Sequence, residues 1–102
     1  METIDPEEVR YSRDRIKATF RDGGSIDPLA EGLRTGTLNA EDVAPIRLFE
    51  RDGHLFTLDN RRLEAFRRAG VPVPYRMATP EEVGEEAWKF ATRNQGVSIR
   101  VR

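Results

Sequence analysis

The sequence predicts an α+β fold, a small mixed β-sheet with about four helices packed on it. Three observations carry that prediction. Apolar residues at strand spacing and at helix spacing alternate in short blocks along the chain. Asp52-Gly53 lies between two apolar runs, as a tight hairpin requires, because both turn positions need positive φ. Helix starts are signalled at Ser12, Asp27-Pro28, Asp59 and Thr79-Pro80.

Taken in order, Asp5-Pro6-Glu7-Glu8 suits one helical turn or a mobile tail, and Val9-Arg10-Tyr11 reads as a short strand. Ser12 is placed to cap a helix over 12–20, with Ile16 and Phe20 on one face until Asp22-Gly23-Gly24 stops it. Asp27 followed by Pro28 predicts a second helix with Leu29 and Leu33 inward and Gly36 as its left-handed stop. A turn or short helix over 38–44 leads through Pro45 to the hairpin strands 46–51 and 54–58. Asp59 then caps a helix to about Ala69, with Leu63, Phe66 and Ala69 inward and Gly70 ending it. Val73 to Met77 reads as a strand, placed at a sheet edge because Pro74 has no N–H to give. Thr79-Pro80-Glu81-Glu82 spells a capping box, starting a helix that carries Val83, Ala87, Trp88 and Phe90 to about Thr92. The alternation Val97-Ser98-Ile99-Arg100-Val101 reads as a final half-buried strand.

The chain has 102 residues, the size of one domain with a core of its own. It has no cysteine, which removes disulfides, thiolate chemistry and cysteine-ligated zinc, and favours a reducing cytoplasm. No apolar run approaches the roughly 20 residues of a membrane span, so no membrane partner is expected. A formal net charge of −1 gives no global field for nucleic acid, although Arg61, Arg62, Arg67 and Arg68 share one short stretch.

That stretch opens at a strand-to-helix turn, Leu58-Asp59-Asn60-Arg61-Arg62-Leu63. A helix start offers unpaired N–H groups and a positive dipole end, and arginine forks bind phosphate or carboxylate at two points. Arg62, four residues before Phe66, should lean into the protein with its head at the turn, and Arg61 should point outward. Asp59 works against an anion site, since a capping carboxylate would take up the N–H groups and repel a phosphate. The plain alternative is two arginines on a polar helix face, with Glu64 and Arg68 as an ordinary ion pair.

The phrases Ala44-Pro45-Ile46-Arg47-Leu48, Asp59-Asn60-Arg61-Arg62-Leu63-Glu64-Ala65 and Gly70-Val71-Pro72-Val73-Pro74 resemble the core of the ParB/sulfiredoxin superfamily over about 9–77. With 78–102 as a C-terminal helix and strand extension, the resemblance implies one such domain over 1–102. It places the family's phosphate-contacting arginine on Arg62 and its basic neighbour on Arg61. The family's glycine falls on Asp59, and the position that is cysteine in sulfiredoxins and glutamate in ParB clamps falls on Asn60. Sulfiredoxin chemistry is thereby excluded, and the ParB carboxylate is missing. The tail, Glu86 to Asn94 with Ser98-Ile99-Arg100-Val101-Arg102, is similar to C-terminal modules of bacterial polymorphic toxins. The resemblance implies a module engaging a nucleotide or nucleic acid through Asn60, Arg61 and Arg62. A nuclease-type or nucleotide-hydrolysing toxin would use Asp59, Asn60 and Arg61 as its catalytic set. Such a toxin would work in the cytoplasm, reached in a target cell as part of a larger protein. It would call for Mg²⁺ if nucleotide-directed, and for a cognate immunity protein. The alternative is a non-enzymatic binding module whose Asp59–Arg62 turn is structural.

Other residues read more plainly. His54, the one histidine, is expected as an exposed strand residue and makes no zinc site alone. Trp88 is expected in the core rather than as a base-stacking platform. Asp14, Glu64 and Asp59 are too scattered in sequence to argue a Mg²⁺ set, and no metal ligands are assigned. Lys89 and Arg93 share a helix face that reads as solvated.

Overall fold

Asp52 at φ 54° and Gly53 at φ 80° fold the centre of the chain back on itself, as the dipeptide predicts. The computed structural model describes residues 2–13, 15–17, 25–86, 96 and 99–101. Along them run β1 (Thr3–Ile4), a 3-10 turn (Pro6–Glu8), β2 (Arg10–Tyr11), β3 (Arg15–Ile16) and α1 (Ile26–Thr35). A second 3-10 turn (Ala40–Asp42) precedes β4 (Ile46–Arg51) and β5 (His54–Thr57). Then come α2 (Asn60–Ala69), β6 (Val73–Met77), α3 (Pro80–Glu86) and β7 (Arg100–Val101).

The result is a mixed α+β fold. Five strands form one sheet in the order β1-β6-β4-β5-β2, and β3 and β7 pair separately. In the hairpin Leu48 faces Thr57 and Phe49 faces Phe56, whose rings stack 5.7 Å apart. β6 runs parallel to β4, with Arg47 beside Arg76. Because side chains alternate along a strand, Ile46 and Leu48 point to one face, where Leu33 of α1 and Leu63 and Phe66 of α2 close over them with Val9, Tyr11 and Val73. Arg47 and Arg76 point to the other face, where α3 meets them.

Both long helices begin and end for legible reasons. α2 starts after Asp59 and stops at Gly70, whose φ of 70° returns its N–H to Phe66 and Arg67. α1 stops at Gly36 in the left-handed region, but it starts earlier than Asp27 predicts, from Ser25. Ile26 is fully buried, so its burial draws an extra residue into the helix. Pro28 stays inside the first turn, where its missing N–H costs nothing. Ala65, unremarkable in the helical stripe, is fully buried where α1 and α2 pack, in a cluster with Ile16, Ile26 and Ala30.

Two expectations are corrected. The helix predicted from Ser12 is not formed: Arg15–Ile16 is a strand, paired in parallel with Arg100–Val101. The Ser12 hydroxyl and N–H are both occupied by Asn60, far along the chain, so the side chain does not cap a helix. Among the described residues there are accordingly three α-helices rather than about four. Nor is β6 at the edge. β1 pairs with it outside, and the ladder accommodates Pro74 by taking the Tyr75 N–H to the Glu2 carbonyl at 3.1 Å. Phe20, Trp88, Phe90 and the remainder of the helix expected to about Thr92 lie outside the described residues, as do positions 97 and 98 of the last strand. No helix among the described residues is long and apolar enough to cross a membrane.

Candidate functional site

The turn between β5 and α2 is fixed before its charged residues act. The Thr57 hydroxyl donates to the Arg47 carbonyl at 3.0 Å and accepts the Asp59 N–H at 2.9 Å. The Asp59 carboxylate then turns back onto β4 instead of forward over α2. Its Oδ2 accepts the Arg47 backbone N–H at 2.8 Å and Nε at 3.0 Å, and its Oδ1 accepts Arg47 Nη2 at 2.8 Å. Arg62 Nη2 lies 2.8 Å from the same Oδ1. Asp59 makes no side-chain capping bond, which corrects the expectation that its carboxylate takes up the helix N–H groups. Burial pushes its carboxyl up, but the Arg47 hydrogen bonds and the Arg62 charge outweigh burial and hold it below the ordinary range.

The neighbouring side chains are committed in the same way. Asn60 is buried; its Oδ1 accepts the Ser12 N–H at 2.8 Å and its Nδ2 donates to the Ser12 hydroxyl at 3.0 Å. Arg62 leans into the protein as expected, but its Nη1 donates to the Ala44 and Pro45 carbonyls at 2.8 and 3.1 Å. Arg61 is half-buried and engaged as well. Asp59, Asn60 and Arg62 therefore form a joint tying α2 to β4, to the segment before β4 and to the end of β2, with Arg61 beside them.

On the outer face of the sheet the joint continues as an ion network that sequence spacing did not reveal. Arg47 Nη1 lies 3.0 Å from Glu86 and 3.4 Å from Glu82, both on α3. Arg76 binds Glu82 through both terminal nitrogens, at 2.9 and 2.7 Å. Glu82 also closes the predicted capping box: its Oε1 accepts the Thr79 N–H at 2.9 Å, and the Thr79 hydroxyl accepts the Glu82 N–H at 3.1 Å. The two Arg76 bonds, the Thr79 N–H and the nearby Arg47 hold the Glu82 carboxyl well below the usual carboxylate range. The only signal in the sequence was an arginine in the polar positions of β4 and β6, followed by glutamates four apart on a helix.

The basic end of α2 is equally paired. Arg67 lies over the Tyr11 ring, 4.7 Å from its centroid, and donates to the Pro6 and Val9 carbonyls at 3.1 and 2.6 Å. Arg68 bonds Glu64 at 2.7 Å, the expected helical pair, and also pairs with Asp27. Glu64 accepts the buried Tyr11 hydroxyl at 2.6 Å. Glu64 and Asp59 thus face different partners, and Asp14 lies outside the described residues. Among the described residues no three acidic or histidine side chains gather as a metal site. His54 is half-buried beside Arg51 in the hairpin. Lys89 and Arg93 lie outside the described residues. Compared with family models, with curated proteins and with solved structures, the chain matches none.

Proposed function

We propose that this chain is a non-enzymatic binding module and that its Asp59–Arg62 turn is a structural joint. One observation carries the reading: the polar groups of Asp59, Asn60 and Arg62 are taken up by Arg47, Ser12 and the Ala44–Pro45 carbonyls. A catalytic carboxylate needs a lone pair facing a substrate, and a phosphate-binding arginine needs an open fork. Asp59 instead receives Arg47 at three points and Arg62 at a fourth.

One observation favours the ParB/sulfiredoxin-like, phosphate-engaging reading. Because Asp59 does not cap α2, its carboxylate leaves the first-turn N–H groups to other acceptors, and Arg61 stands at that end. On this reading a nucleotide or nucleic acid would dock at Arg61 with Mg²⁺. Hydrolysis or strand cleavage would then make the chain a toxin module opposed by an immunity protein. Calorimetry with the four nucleoside triphosphates, with and without Mg²⁺, together with DNA and RNA cleavage assays, separates the two. The structural reading expects no cleavage and no heat that depends on Arg61. Turnover abolished by Arg61→Ala in a folded protein would overturn it.

A further inference from the structure

We propose that Arg47 and Arg76 form a receptor for a phosphate-bearing ligand and that α3 is a latch whose glutamates fill it in the free protein. This goes beyond the reading above, because it places binding on the outer face of the sheet and leaves the α2 turn structural.

The two arginines are register partners on adjacent parallel strands, so their side chains stand together on one face. Like charges in that position repel and need anions between or above them. Arg47 is oriented in advance, because Asp59 holds its Nε and Nη2 and leaves Nη1 directed at α3. Arg76 offers both terminal nitrogens to Glu82. Three N–H-bearing nitrogens therefore meet carboxylate oxygens of α3, those of Arg76 in the two-point geometry that also suits phosphoryl oxygens. Preorganised donors of this kind lose little freedom on binding.

The glutamates that fill the receptor sit on a weakly held element. None of the described residues of α3 is fully buried, and the Arg76–Glu82 pair that ties it to β6 is half exposed on the arginine side, where an ion pair holds weakly. Gly84 lies within the described part of this helix, and a Cβ there would meet nothing within 4 Å. Neither crowding nor a positive φ calls for glycine at that position, and its effect is to weaken the helix. A helix whose described residues lie outside the buried core and that is loosened by glycine opens more readily than the core does. A dianionic ligand then competes with Glu82 and Glu86 for the same nitrogens.

The test is calorimetric titration of inorganic pyrophosphate, and in parallel ADP, into four proteins at one low salt concentration, with folding checked by circular dichroism. Glu82→Gln with Glu86→Gln removes the competing charges and keeps a residue able to close the capping box. It should bind pyrophosphate at least tenfold more tightly than the unaltered chain. Arg76→Ala added to that double variant should abolish the gain. Gly84→Ala alone should raise the melting temperature and weaken pyrophosphate binding several-fold. Tighter binding of ADP than of pyrophosphate would identify a nucleotide as the ligand, and equal binding a free phosphate. A double variant no tighter than the parent, or one indifferent to Arg76→Ala, overturns the proposal.

Discussion

Arg47 gives Asp59 three donors from one residue, its backbone N–H at 2.8 Å, Nε at 3.0 Å and Nη2 at 2.8 Å. The contact joins the open end of the central hairpin to the start of α2, and Arg62 adds a fourth donor from the helix itself. The Asp59 side chain is only 7% exposed and that of Arg47 23%, so water does little to replace either partner.

Asp59→Ala should therefore cost about 2–4 kcal/mol in urea denaturation, somewhat less than the roughly 3–5 for a fully buried pair because Arg47 keeps Glu82 and Glu86. Asp59→Asn, which still accepts from the Arg47 backbone, should cost roughly half as much. A loss from Asp59→Ala below about 0.5 kcal/mol, the size of an ordinary surface change, would show that the joint is dispensable.

The same groups set an acid limit. The carboxyls of Asp59 and Glu82 are held below their ordinary values of 3.8 and 4.5. The unfolded chain therefore binds protons before the folded one does. Their contribution is present above those ordinary values and is lost as pH falls through the lower folded ones. The urea midpoint should hold from pH 7 to about 5 and then decline. The decline should be shallower in Asp59→Asn. An unchanged slope in that variant would mean that other carboxylates govern acid unfolding.

Tyr11 behaves in the opposite direction. Burial, with the Glu64 hydrogen bond and charge, pushes its phenol well above the ordinary value of 10.0. The contribution is present below that value and is lost as pH rises toward the folded one. Ultraviolet titration should show a tyrosine that ionises only with alkaline unfolding, and Tyr11→Phe should remove that step. Ionisation of every tyrosine near pH 10 in the folded protein would contradict the buried Tyr11–Glu64 contact.

Two glycines should respond to alanine with opposite signs. Gly96 has φ 74°, and a Cβ there would stand 2.2 Å from the Tyr11 carbonyl oxygen, while its own carbonyl accepts the Tyr11 N–H at 2.8 Å. Gly96→Ala should cost more than about 2 kcal/mol from backbone strain and overlap. Gly84→Ala, with open space around it, should gain roughly 0.5–1 kcal/mol of helix stability. Thermal melts of the two variants give the comparison, and a stable Gly96→Ala protein would refute the close approach of this residue to β2.

Asn60→Ala should cost about 1–3 kcal/mol by stranding the buried Ser12 N–H. Loss of stability in chemical denaturation, with any gain on adding nucleotide the same as in the unaltered chain, is the expected result. Stabilisation of the unaltered chain by nucleotide, absent in the variant, would instead give Asn60 a role toward a ligand.

Features that depend on a few adjacent residues were legible in the sequence. Asp52-Gly53 fixes a hairpin because both residues tolerate positive φ. Gly36 and Gly70 end helices for the same reason. Thr79 and Glu82 close a capping box because they lie three apart on one turn. Glu64 and Arg68 pair because they lie four apart. Each rests on backbone sterics or helical spacing, which the chain carries with it wherever it folds.

Only the tertiary structure decided what the polar residues of the Asp59–Arg62 turn do. The same Asp59 that could cap α2 faces Arg47, and the same Ser12 that could start a helix is held by Asn60 across 48 positions of the chain. Residues 15 and 16 became a strand because Arg100 and Val101 were there to pair with them, and Pro74 entered the sheet because β1 covered its edge. A polar side chain takes the strongest partner within about 3 Å. Local spacing determines the nearest candidates, but which of them burial leaves in reach is settled only when distant segments pack together.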